Sequence, residues 1–246
     1  MRDYLLFRLY GPLAAWGDIA VGEYRPSFAH PGKSAIIGLL AAALGIRRDE
    51  EERQKSLTEF CSFAVRVDAM GLLLRDYHTT QVPPSGTGRN YRTFNTRKAE
   101  LAEDNLNTIL STRDYRCDAA YTVAITVADN SPFTVLQLSA ALQKPVFTLY
   151  LGRKSCPLSL PLQPQVLNAA SLRDVLESVP TSDERSDICH KEEALIFWED
   201  GMDSGLERQQ IIIRRDAPRS RKRWQFSERR ENTGTLRRGE DPCTSA

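Results

Sequence analysis

The sequence predicts an α+β fold in the order βαββαβ, with a long insertion between the second and third strands and a smaller β-rich C-terminal part. Three observations predict it. Segments of strand length with alternating apolar residues are separated by two helical patterns. About fifty residues of turn-rich, basic sequence interrupt the middle of the series. A glycine turn, YLGRKSCPL from Tyr150, closes it.

The first strand runs from Tyr4 to Tyr10. Leu5, Phe7 and Leu9 form an apolar face, and Tyr4, Leu6, Arg8 and Tyr10 form a mixed one. GPLAAWG breaks it. Lys33 to Leu44 then reads as a helix with Ser34 as N-cap and Gly45 as the stop, and its many small residues predict close packing on a sheet. Ser62 to Asp68 is the second strand, with Phe63, Val65 and Val67 on one side, and Ala119 to Val127 is the third. Ser131-Pro132 reads as a helix start, followed by a stripe of Val135, Leu138 and Leu142. Pro145 to Leu151 completes the set as a fourth strand. This order is the ferredoxin-like plan, shared with RNA-recognition modules.

The insertion, 69–117, carries RDYHT from Arg75, VPPSGTG, and RNYRTFNTRK from Arg89. Between Arg75 and Lys98 five Lys and Arg face one acid, Asp76, although the whole chain carries a net charge of only +1. A polyanion partner would therefore be met by local clusters and not by a global field. Arginine interleaved with Tyr77, Tyr91 and Phe94 suits a nucleic-acid-gripping arm, where guanidinium meets phosphate and rings meet bases. We expect residues 1–158 to form the main domain and 159–231 a smaller subdomain. The latter would hold a short helix from Ala170 to Val179 and a strand pair, Ala194 to Trp198 with Gln209 to Arg214, around the turn EDGMDSG. A second basic block, RRDAPRSRKRWQFSERRE, follows; its Trp224 and Phe226 read as core or interface residues. Residues 232–246 read as a disordered tail.

The five cysteines include no CxxC pair, and no histidine lies at metal-ligand spacing, so reduced thiols, no zinc site and no cofactor are expected. The N-terminal apolar stretch is broken by Arg8, Tyr10 and Pro12, unlike a signal peptide, and no run has bilayer-spanning length. A cytoplasmic protein without a membrane partner is expected. HPGKS resembles part of a phosphate loop, but Ser27 stands where the full motif needs glycine, so nucleotide hydrolysis is not expected. What remains is Lys33 and Ser34 at a helix N-terminus, which reads equally as an anion site or a plain cap. Tyr77, His78 and Lys98 could form an acid–base grouping for RNA cleavage; stacking or hydrogen bonding without chemistry is the preferred reading.

Several phrases resemble one family in order and spacing. GPLAAWG at Gly11, RPSFAHPGKSAIIGLLAAALGI from Arg25, RDYHT from Arg75, TRDYRCDAAYTVAI from Thr112 and YLGRKSCPL from Tyr150 are similar to the CasD subunits of type I-E CRISPR surveillance complexes (Cascade). These belong to the repeat-associated mysterious protein superfamily. The likeness runs from Met1 to about Arg230. It implies a ferredoxin-like core with a projecting thumb and a non-catalytic role in antiviral defence. It also implies binding of the CRISPR RNA 5′ handle at one end of a multisubunit ribonucleoprotein, beside a CasC-type backbone subunit and a CasA-type large subunit. Position by position, it implies RNA contacts at Arg25, at Lys33 and Ser34, at Arg113, and at Arg153, Lys154, Ser155 and Cys156 of the glycine turn. Arg75, Tyr77, His78, Arg89, Tyr91, Arg92, Arg97 and Lys98 complete the set of expected contacts in the thumb region. Two other readings stand beside this one: a metal-independent endoribonuclease that processes precursor CRISPR RNA, and a protein-only scaffold with basic docking surfaces.

Overall fold

The structure is a computed structural model that describes residues 1–83, 94–102, 105–179 and 193–237. In chain order its elements are β1 (Arg2–Tyr10), β2 (Leu13–Ala14), β3 (Tyr24–Arg25), α1 (Lys33–Ala43), α2 (Glu51–Phe60), β4 (Cys61–Ala69), β5 (Leu72–Val82), α3 (Arg97–Glu100), β6 (Asn107–Cys117), β7 (Ala120–Val127), α4 (Val135–Gln143), β8 (Gln165–Ala169), α5 (Leu172–Ser178), β9 (Glu193–Glu199), β10 (Gln210–Ser220) and β11 (Gln225–Arg237). The main sheet has the strand order β10-β11-β9-β4-β7-β1-β8. Every neighbouring pair in it is antiparallel.

Both faces of the central strands are covered, which explains their nearly continuous apolar sequences. Leu5, Phe7 and Leu9 of β1, Phe63, Val65 and Val67 of β4, and Tyr121, Val123 and Ile125 of β7 pack with α1, α4 and Leu57 of α2. On the other face Tyr4, Leu6, Ala64 and Ala124 pack with Leu172, Val175 and Leu176 of α5 and with Ile196 and Trp198 of β9. The mixed face of the first strand is thus a second core face. Each of these large side chains gains roughly 1.5–3 kcal/mol by burial. The facing direction follows from the two-residue period of a strand.

Arg66 of β4 points into the α5 side and is 5% exposed. Each of its three nitrogens has a partner there. Its Nε donates to Asp68 at 2.6 Å, and its Nη atoms donate to the Leu176 and Val179 carbonyls at 2.5 and 3.2 Å and to Thr122 at 3.1 Å. The two carbonyls lie at the C-terminal end of α5, where the helix has no partners of its own for them.

Five expectations need correction. The N-cap of α1 is Gly32, and Ser34 lies inside the helix; the Lys33 N–H is taken by the Asp216 carboxylate of β10 at 2.9 Å. Gly45 does end that helix, in the left-handed conformation with φ +73°. The second sheet helix, α4, starts at Thr134, whose side chain forms a capping box with Gln137, and not at Ser131-Pro132. The segment Pro145 to Leu151 is not a strand. Its amides at Val146 and Phe147 donate to the Ala43 and Ala42 carbonyls at 3.0 and 3.1 Å, so they close the end of α1 and leave the ladder position to β8. Finally, β9 and β10 do not pair with each other: β11 lies between them, and its last residues, 232–237, are strand and not tail. In the main sheet β8 extends one edge, and β9 to β11 extend the other. Residues 238–246 lie outside the described residues.

The insertion folds into a long antiparallel hairpin. β5 pairs with β6 from Leu72↔Cys117 to Val82↔Asn107, and most of β5 is exposed. At the base, β6 also pairs antiparallel with β2 and parallel with β3. Gly71 turns the chain there at φ +64°, where a Cβ would sit 2.2 Å from the Cys117 carbonyl oxygen.

Candidate nucleic-acid interface

The hairpin base, the GPLAAWG turn and the glycine turn meet at one place. The Ala15 N–H donates to the Leu151 carbonyl at 3.0 Å. Gly152, at φ +83°, approaches Ala15 so closely that a Cβ would lie 1.8 Å from the Ala15 carbonyl oxygen. Gly11 meets the other arm of the turn, and a Cβ there would be 2.5 Å from the Pro157 carbonyl oxygen. Two phrases more than 130 residues apart are therefore one packed unit, and their glycines are the residues that let the backbones touch.

Cations gather around it. In the β3–β6 register Arg25 is opposite Arg113. Arg75 of β5 reaches Asp114 of β6 with Nε and Nη2 at 2.9 and 3.1 Å, a two-pronged pair that also engages the Tyr24 hydroxyl at 2.9 Å. The Tyr24 hydroxyl donates to Asp114 at 2.5 Å, and that bond raises its pKa. The Arg75 guanidinium holds the Asp114 carboxyl below the ordinary range, against burial. Arg153, on the glycine turn, lies 4.7 Å from the Tyr115 ring and donates to the Asp114 and Arg25 carbonyls at 3.2 and 3.1 Å. Its guanidinium is used to fasten the turn to β6 and β3. Lys154 and Ser155 beside it are exposed. Among the described residues, Arg75 alone of Arg25, Arg75, Arg113, Arg153 and Lys154 is ion-paired. Arg113 makes one long contact with Ser111 at 3.4 Å. The result is a surface of guanidinium and ammonium groups mounted on rigid backbone, suited to an anion with several charges.

The structure brings together Arg25, Arg75, Arg113, Arg153, Lys154 and Ser155, and places the other expected contacts elsewhere. Lys33 is turned inward: its Nζ lies 3.0 and 3.1 Å from the two Glu199 oxygens, and its side chain is 12% exposed. Ser34 gives its carbonyl to Arg221. Cys156 is fully buried in the core, and burial raises its thiol pKa, so it supports the turn and offers no side chain to a ligand. Of these three expected contacts, Lys33 and Cys156 have side chains held within the fold, and Ser34 is partly exposed. Tyr77 and His78 are adjacent on β5 and hence on opposite faces of the hairpin, which separates the pair that an acid–base site would need together. Both are exposed, with His78 3.8 Å from Asp76. Arg97 is tied to Glu100 at 2.6 Å and to the Gln81 carbonyl at 2.7 Å, while Lys98 is exposed. Arg89, Tyr91 and Arg92 lie outside the described residues. Sequence reasoning missed Tyr24 and Asp114, the two groups that hold Arg75; the β5–β6 register sets Arg75 opposite Asp114 and the β3–β6 register brings Tyr24 alongside, and both are tertiary. No group of three or more metal-ligating side chains occurs among the described residues, and no helix there is long and apolar enough to cross a membrane.

The inward-facing Lys33 belongs to a second charged cluster. Arg214 and Arg229, on β10 and β11, bracket Asp216 and Glu231; Arg229 reaches them at 2.6 Å each. His30 is completely buried and stacked 3.8 Å from the Phe197 ring. Burial lowers its pKa; its Nδ1 meets the Pro31 carbonyl at 3.1 Å and its Nε2 the Arg214 guanidinium at 3.2 Å. Burial opposes ionisation of Glu231, yet its contacts with His30, Arg229 and Arg214 hold its carboxyl at about 2.

Comparison with known proteins gives one consistent answer. The family model described as CRISPR-associated protein (Cas_Cas5) matches residues 4–231. The chain is 39% identical over 170 residues to the CRISPR system Cascade subunit CasD of Escherichia coli (strain K12), covering 66% of this chain and 70% of that protein. A chain of a solved CRISPR RNA-guided surveillance complex superposes with a TM-score of 0.68 at 26% identity, over 96% of this chain and 90% of that one. A crystal structure of a Cas protein superposes with a TM-score of 0.65 at 26% identity, over 97% and 99%. The chain belongs to the CRISPR-associated protein (Cas_Cas5) family.

Proposed function

We propose that this chain is a CasD-type subunit of a Cascade-like complex and that its hairpin base and glycine turn hold the 5′ handle of the CRISPR RNA without cutting it. One observation carries the reading: Arg25, Arg75, Arg113, Arg153 and Lys154, from four separate segments, converge where β3, β6 and the glycine turn meet, and only one of them is ion-paired. The run β8-β1-β7-β4, all antiparallel, supports a ferredoxin-like core, and the β5–β6 hairpin supports the thumb that the family resemblance implies. Lys154 and Arg113 would meet phosphates directly. Arg153 acts by fastening the turn, since both its bonded Nη atoms already donate to backbone carbonyls. CasC-type and CasA-type subunits are the partners this reading assigns, and the cytoplasm its compartment.

The test is retention of labelled repeat RNA by the purified protein and by the reconstituted complex. Arg113→Ala with Lys154→Ala should weaken retention and reduce the salt slope by about one unit for each phosphate no longer neutralised. Intact RNA after incubation is expected. Cleavage would move the chain to the processing class, and unchanged retention and slope would remove the handle from this surface.

A further inference from the structure

A second basic surface lies at the tip of the β10–β11 hairpin, and it is built differently. The turn 221–224 carries Trp224 in the left-handed conformation, φ +56°, which non-glycine residues adopt rarely. This indole is 58% exposed, whereas Trp16 and Trp198 are 2% and 4% exposed. Phe226 supports it from below, edge-on, at 5.5 Å between ring centroids. Arg48, from the segment after α1, and Arg221 flank the ring with their guanidinium carbons 5.5 and 5.6 Å from its centre. Arg221 is anchored to the Ser34 carbonyl and lies over Gly38, where a Cβ would be 2.9 Å from its guanidinium. Arg219, Lys222 and Arg223 complete the surround and are exposed.

Among the described residues none of Arg48, Arg219, Lys222 and Arg223 makes an ion pair. Of the acidic run 49–52 that follows Arg48, Glu51 accepts from the Ser220 hydroxyl at 2.5 Å and Glu50 is paired with Arg53 at 2.8 Å. Burial first, and then the charge of Arg48, lower Arg221 to about 10. Phe226 and two guanidiniums contact the ring, yet more than half of its surface stays in water. Its natural complement has flat apolar faces and a regular negative backbone. Stacking on tryptophan with phosphates on the flanking cations is how single strands are held without sequence preference. An acidic protein surface would use the charges and leave the ring without a matching face.

We propose that the β10–β11 tip, with Trp224 as a stacking platform and Arg48, Lys222 and Arg223 as phosphate contacts, binds single-stranded nucleic acid at a site separate from the hairpin base. It does not depend on where the handle lies. The strand is either RNA or DNA, and the two are distinguished by experiment.

Trp224 is the one exposed tryptophan of the three in the sequence, so indole emission reports on it directly. The full-length chain, already carrying Arg113→Ala and Lys154→Ala to disable the other surface, is titrated with oligouridylate, oligothymidylate and polyglutamate. Quenching that saturates with either oligonucleotide but not with polyglutamate is expected, and the better quencher names the strand. In a parallel anisotropy titration with labelled oligonucleotide, Trp224→Ala should weaken binding about ten-fold and Trp224→Phe much less. Lys222→Ala with Arg223→Ala should lower the salt slope by about two. Equal quenching by polyglutamate, or binding unaffected by Trp224→Ala, would overturn the proposal. Trp16 and Trp198 emission checks that each variant is folded.

Discussion

Two of the arginine-rich clusters of this protein do opposite things. Beneath the start of α1, Lys33, Arg214 and Arg229 meet Glu199, Asp216 and Glu231, three cations for three carboxylates, all nearly buried. At the hairpin base, Arg25, Arg75, Arg113, Arg153 and Lys154 have one ion pair among them, to Asp114. The first cluster joins α1 to β9, β10 and β11 and is part of the fold. The second is left with unneutralised charge at the surface. Abundance of arginine does not distinguish the two clusters; the number of carboxylate partners does.

The comparison can be tested from its strongest side downward. Asp216→Ala should be the most damaging change, because it removes a partner of Arg229, a partner of Arg214 and the acceptor of the Lys33 N–H at once, and leaves three buried cations with two carboxylates. Stability should fall by about 3–5 kcal/mol, read as a drop in the urea midpoint. A change below about 1 kcal/mol would mean that the cluster is not structural.

Acid should act on the same cluster. Glu231 has its carboxyl at about 2 in the folded chain against an ordinary 4.5. The folded state therefore binds this proton less readily than the unfolded chain. The stabilisation is fully present above pH 4.5, disappears as pH falls toward 2, and amounts to about 3 kcal/mol. Glu231→Gln should flatten the stability profile in that window. A variant as steep as the wild type would assign the acid sensitivity to other carboxylates.

A smaller effect is expected at the support of the exposed cluster. Gly152→Ala places a Cβ against the Ala15 carbonyl at positive φ, and should cost about 2 kcal/mol of stability together with RNA retention. Least costly to stability are Arg113→Ala and Lys154→Ala, within about 0.5 kcal/mol, although they should be the most damaging to RNA retention for the stability they remove. If the thermal midpoint fell as far as in Asp216→Ala, the two clusters would not differ as described.

Much of the fold is legible in the sequence. The strands β1, β4 and β7 stand out because each combines alternation with strongly apolar residues, and α1 ends where Gly45 can take a left-handed turn. The fourth strand is hidden for a physical reason. PVFTLYL has the apolar residues of a strand, but its amides at Val146 and Phe147 are spent on the open carbonyls of α1. The five-residue β8 carries too little pattern to be distinguished from a loop. Lys33 misleads for a similar reason. A basic residue at a helix start looks like an anion site until Glu199, 166 residues later, is seen to occupy it.

The chain alone determined which segments are apolar on alternate positions, where glycine permits a turn, and that arginine is concentrated in a few stretches. Those properties depend on neighbours within a few residues. Which arginines are neutralised, which strand completes the sheet edge and which tryptophan faces water were decided by contacts between residues far apart in sequence. Charge pairing and burial are properties of three-dimensional neighbours, and no local spacing encodes them.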